Sequence, residues 1–359
     1  MAAQRKPHAT VVACAVALLH VGVAHAQSSV TIYGILDTGV LYTSKTLNPS
    51  TGANAGKRFS LIDSGTAPSQ FGITGAEDLG GGGKAIFKIE SGISVANGAL
   101  NNSNGNLFGR QAYVGVSNSF GEVKLGLQFS PFFLTLYDLD PRGMSMFGSG
   151  LPIYVDHVVG TGVFNSNAIS YSSPVVAGFS GRAMYALGGV PGDFQSGRQY
   201  SLSLKYDNGT LMVEGVFYDG NAGGSANTVA PTNVEFEGRM LGASYKAGGL
   251  IAKASFVNYK VAGGFDSNVY GAGLDFFARP DLDFNGGVWY VSDRNATTNH
   301  SVLGAVGATY LLSRRTALYG QVAVVNNHGA MDTGLSLNGA LFSPAGTTTG
   351  VNVGVRHMF

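Results

Sequence analysis

The side chains able to do chemistry are few and unevenly placed. The 359 residues contain only 22 Lys and Arg and 21 Asp and Glu, about half the charge density of an ordinary soluble domain. Within GKAIFKIESG (83–92), Lys84, Lys88 and Glu90 share one parity, while Ala85, Phe87 and Ile89 share the other. Extended backbone sends alternate side chains to opposite faces, so one face is charged and the other apolar. A second concentration lies in 130–164, where Asp138, Asp140 and Asp156 stand against Arg142. Groups so placed can attract or repel ions and polar solutes, but covalent chemistry lacks its parts. There is no Gly-x-Ser-x-Gly elbow. Gly83-Lys84 and Gly56-Lys57 lack the upstream Gly and the following Ser or Thr of a phosphate loop. His157, His300, His328 and His357 are scattered without metal-ligand spacing. No cofactor is expected, and the near balance of acids and bases leaves no footprint for nucleic acid.

The elements that must position these residues read as strands. Glycine supplies 54 of the 359 residues, roughly double the ~7% average. Mean hydropathy is +0.15, yet beyond residue 26 no run of 18 apolar residues occurs, so no transmembrane helix is expected. The apolar content is spread in alternation instead. In SVTIYGILDTGVLYTS, Val30, Ile32, Leu36 and Val40 share one parity, and Thr31, Tyr33 and Asp37 the other. Such runs repeat. Short connections at 77–83, 118–122, 173–178, 207–210, 246–249, 278–282 and 312–316 carry the Gly, Pro, Asn and Asp of tight turns. Longer ones lie near 44–57, 96–107, 130–164, 189–197, 221–235, 262–267, 294–299 and 328–348. The count is 16 runs, seven short turns and eight longer loops, the pattern of an even-stranded membrane β-barrel. A sheet in hydrocarbon cannot leave edges unpaired, so the first strand must meet the last. The expected fold is all-β, a 16-stranded antiparallel transmembrane β-barrel. In the closing GVNVGVRHMF, Val351, Val353, Val355 and Phe359 take the outward parity and Arg356 the luminal one.

Residues 1–26 read as a cleaved secretory signal peptide. Arg5 and Lys6 precede the apolar VVACAVALLHVGVAHA, and Ala24-His25-Ala26 is a small-x-small cleavage site. Its removal takes the sole cysteine, Cys14, and leaves 333 residues with 20 bases and 21 acids. The remainder, 27–359, reads as one barrel domain.

Several stretches resemble the general porins of β-proteobacteria. QSSVTIYGILDTGV (27–40) is similar to that family's opening strand, and SQFGITGAEDLGGGGKAIFKIESG (69–92) to its second hairpin. LFGRQAYVGVSNSFGEVKLGLQ (107–128), NSNAISYSSPVVAGFSGRAMYALG (165–188) and VGVRHMF (353–359) resemble later pieces in the same order. The resemblance implies a homotrimeric, 16-stranded diffusion porin in the cell outer membrane of a Gram-negative bacterium. It implies a water-filled channel narrowed by an inward-folded third loop, passing small hydrophilic solutes and ions. The long, apolar 130–164 is the candidate constriction loop.

On that resemblance, opposed charges across the hole would set selectivity. The expected basic wall is Lys88, Arg110, Arg58 and Lys124, with Arg182 and Arg356 as further luminal bases. The expected loop acids are Asp138, Asp140 and Asp156. Asp37 is expected to face the lumen without a selective role. The family often has Arg at Leu127 and Gln at Lys88, so its ion preference does not transfer. Phe71, Phe120, Phe179, Phe276, Phe277, Trp289, Tyr310 and Phe359 are candidates for the aromatic girdles that flank the bilayer. Phe359 is also expected to serve as the terminal signal read by the barrel-assembly machinery. A substrate-specific channel on the same barrel is the alternative. A barrel enzyme or adhesin would need a catalytic set or long ordered external loops, and the sequence offers neither.

Overall fold

The computed structural model describes residues 29–158, 162–221 and 233–359; residues 1–26, expected to be a signal peptide, lie outside them. The wall begins with β1 (Ser29–Thr43). The second wall position is split into β2 (Arg58–Asp63) and β3 (Gln70–Gly80). Next come β4 (Gly83–Gly92), β5 (Gln111–Asn118), β6 (Gly121–Gln128), β7 (Asn165–Ser172), β8 (Phe179–Ala186), β9 (Gln199–Asp207) and β10 (Leu211–Gly220). The far side holds β11 (Phe236–Ala247), β12 (Leu250–Val261), β13 (Asp266–Arg279), β14 (Leu282–Asp293), β15 (His300–Leu311) and β16 (Thr316–His328). A small hairpin, β17 (Thr333–Ser336) and β18 (Ala340–Phe342), precedes the last wall strand, β19 (Gly346–Met358).

Every neighbouring pair is antiparallel, and β19 pairs with β1 from Ile35↔Met358 to Thr43↔Gly350. Counting β2 and β3 as one position, the sheet is a closed barrel of 16 strands. The sequence parity held on β1: Val30, Ile32 and Val40 are exposed on the outside, while Asp37 is buried within. Around the outer face near the short-turn end, Phe120, Phe179, Phe276, Tyr310 and Phe359 are exposed, whereas Phe277, expected among them, shares the inward parity of Asp275 and lines the lumen. Trp289 is not among them, contrary to expectation. It is 2% exposed, and its ring lies over the inner faces of Gly271 and Gly287.

The apolar core sits inside the barrel because the third loop fills it. That loop contains two short helices, α1 (Pro131–Leu139) and α2 (Gly150–Val158). Ser130 caps α1 by accepting the Phe133 N–H at 3.1 Å, and Pro131 occupies the first turn, where its missing donor costs nothing. Phe132 packs among Tyr154, Tyr218 and Tyr259 at ring distances near 6 Å. Leu136, Leu139, Met146, Phe147 and Ile153 are buried with it against wall residues Met240, Leu303 and Val325. Parity alone therefore fails on the upper parts of β12 to β16, where Val269, Val291, Leu303 and Val325 are apolar and face inward, beneath the loop.

Candidate functional site

The luminal charges arrive on strands whose other face is apolar, and adjacent strands bring them together. Lys88 and Glu90 are on β4, and Arg110 immediately precedes β5. Arg110 Nε donates to Glu90 Oε1 at 2.9 Å, Lys88 Nζ lies 3.1 Å from Glu90 Oε2, and Tyr33 donates to the same oxygen at 2.6 Å. Two cations thus share one carboxylate whose side chain is only 2% exposed.

Asp37, also inward, is consumed structurally. Its carboxylate accepts N–H bonds from Gly65, Thr66 and Ala67, and hydroxyl bonds from Thr66 and Tyr319, at 2.5–2.9 Å. These bonds pin the break between β2 and β3 to the wall. Left unmatched and buried, each donor would cost about 1–3 kcal/mol.

The loop acids take three different positions. Asp138, at the end of α1, meets Lys205 at 2.8 Å and Arg182 at 3.3 Å, and both bases also reach toward Glu214. Asp140 is 4% exposed and accepts the backbone N–H groups of Arg142, Met144 and Gly150. Asp156 is on α2, where burial and the charge of Asp332 push its carboxyl up to about 8. Arg142 ties the loop to the far wall: Nε donates to Asn285 at 2.9 Å, Nη1 to the Gly148 carbonyl at 2.7 Å, and Nη2 to Gln321. Burial lowers Arg142 to about 10, so it stays charged at neutral pH.

The two remaining wall bases stand apart from this group. Lys124 pairs with Glu122 at 3.1 Å near a short turn. Arg58 lies at the outer end of β2, beside Gly339 of the last loop. A lumen cavity of about 630 Å³ gathers Arg110, Arg142, Lys253 and Arg356 with Asp275, Asp281 and Asp283. Lys253, Asp275 and Asp283 were not singled out from sequence. Their signal was the same alternation, since Asp275 sits between Leu274 and Phe276, and Asp283 between Leu282 and Phe284.

A closed barrel with charged side chains lining an inner cavity is a channel's architecture. The family model for the Gram-negative porin matches residues 9–330. The chain is a Gram-negative porin. Outer membrane porin protein 32 of Delftia acidovorans is 34% identical to it, over 94% of this porin and 96% of that protein. An outer membrane porin protein of Bordetella pertussis is 28% identical, over 98% and 99%. The solved anion-selective porin from Comamonas acidovorans superposes with a TM-score of 0.80 at 30% identity, covering 93% of this porin and all of that chain. The porin therefore resides in the outer membrane as a channel for passive diffusion of small hydrophilic solutes and ions.

Proposed function

We propose that this porin passes anions in preference to cations. The observation that carries the reading is the charge lining the lumen cavity. Arg110, Arg142, Lys253 and Arg356 face Asp275, Asp281 and Asp283, and Asp281 is already held by Arg279 through two 3.0 Å bonds. The bases Lys88 and Arg110 in turn outnumber Glu90 on their side. Rings of like charge select the opposite ion. The anion-selective relative from Comamonas acidovorans supports the same direction.

A reversal potential across a planar bilayer under a KCl gradient tests this. Its sign should report chloride over potassium, and the Lys88→Gln, Arg110→Gln double variant should move it toward potassium. A zero or cation-signed potential in the native channel overturns the proposal. In this reading Arg58, Lys124 and Asp138 shape the potential away from the narrowest part, while Asp140 holds the loop. The porin assembles as a homotrimer after the signal segment 1–26 is removed, and Phe359 is the handle for the barrel-assembly machinery.

A further inference from the structure

A second cavity, of about 540 Å³, lies between the third loop, the wall and the last loop. Its size suits a small organic ligand. Its lining is out of keeping with a hydrophilic pore: Phe129, Phe133, Phe164, Leu151 and Met146 belong to it, and its charged members are Asp156 and Arg110. Arg110 lines both this cavity and the lumen cavity, so the apolar space opens beside the water-filled path at a fixed cation.

The Arg110 donors are only partly used. Nε is on Glu90 and Nη1 donates to the Asn102 carbonyl at 3.2 Å. Among the described residues no acceptor meets Nη2. The neighbouring Asn102, also in the lining, has a buried amide nitrogen without an acceptor. The guanidinium carbon stands 5.6 Å from the Phe129 ring centre and 6.0 Å from that of Phe164. The cation therefore has aromatic neighbours on the cavity side and a carboxylate on the wall side.

We propose that this cavity binds amphipathic anions, specifically aromatic carboxylates, with the ring among Phe129, Phe133 and Phe164 and the carboxylate on Arg110. This deepens the anion preference and rests on it. A sugar would leave most of its hydroxyls facing apolar carbon, which is costly. An inorganic anion would reach Arg110 but leave the apolar space unused. A neutral aromatic would fill the space but not the free donor. Only a solute with both parts uses both, because a charge-assisted bond to guanidinium adds to burial of the ring. The site sits beside the conduction path, so an occupant should obstruct current while bound.

Single-channel recording of the purified full-length porin, with benzoate compared with acetate at equal ionic strength, tests this. Benzoate should produce saturable current interruptions with an apparent dissociation constant at least about tenfold below that for acetate. Benzyl alcohol should produce none. The Arg110→Gln and Phe133→Ser variants should each lose the interruptions. Equal behaviour of benzoate and acetate in the native channel overturns the proposal and needs no variant. Interruptions that persist in both variants place the site elsewhere and also overturn it. Chloride preference without benzoate interruptions sinks the cavity alone and leaves the anion reading standing.

Discussion

Asp156 shows how much a single carboxyl depends on its surroundings. An exposed Asp titrates near ~3.9, but burial and the charge of Asp332 on the facing last loop raise Asp156 to about 8. Burial raises Asp332 as well. The other charge lining that cavity is Arg110. The seated loop therefore holds protons that an unseated loop would release. This contribution to seating α2 is complete below pH ~4 and is lost as the pH climbs through about 8. Hydrogen exchange of the α2 amides, corrected for the intrinsic rate, should quicken as the pH rises from about 5 to about 8 and level off above that. The Asp156→Asn variant should lose most of that dependence, and an unchanged slope would remove Asp156 as its source. Sequence placed Asp138, Asp140 and Asp156 in one loop. Their separation into an ion-paired position, a backbone-bound one and a buried one facing Asp332 depends on what the loop packs against.

At the scale of elements, α1 is seated by space left in the wall. A Cβ on Gly238 would stand 2.5 Å from Phe132 Cζ, and the nearest atoms to it all belong to that ring. Gly238→Val should therefore cost about 1–3 kcal/mol by overpacking and lift α1 from β11. Single-channel conductance should rise and grow noisier, while the barrel still inserts. Phe132→Ala removes the same contact from the other side and should act in the same direction, costing about 3–5 kcal/mol of seating. Conductance unchanged in both would show that α1 does not narrow the path. In the sequence, 130–164 reads only as a long apolar loop, and α1 within it is not singled out. The destination of that helix was not readable, because Gly238 and Phe132 are 106 positions apart and meet only across the lumen.

At the scale of the whole molecule, closure is decided where the chain ends meet. Gly34 and Phe359 exchange two backbone hydrogen bonds of 3.1 Å, and a Cβ on Gly34 would come within 2.3 Å of the Phe359 ring. Gly34→Ala should therefore lower the yield of heat-modifiable, folded barrel on an unboiled gel, while molecules that do insert keep native conductance. Deleting Phe359 should impair assembly further, since it also removes the seam bonds. A normal folded yield from Gly34→Ala would mean that the ring can swing clear at no cost.

The sequence by itself determined the wall. Alternation, turn residues and the rule that no edge can face hydrocarbon are local or general constraints, and they sufficed for 16 strands, seven short turns and the inward faces of Asp37, Lys88 and Glu90. The tertiary structure alone decided what fills the barrel. Trp289 looks like an interfacial aromatic until loop residue Pro141, with a ring carbon 2.9 Å from where a Gly287 Cβ would stand, shares the inner face it packs on. Arg142 looks like a free loop cation until Asn285, Gln321 and the Gly148 carbonyl accept its donors. The reason is physical. Which face a strand residue takes follows from its neighbours in sequence, but whether an inward residue meets water or protein depends on a loop arriving from far along the chain.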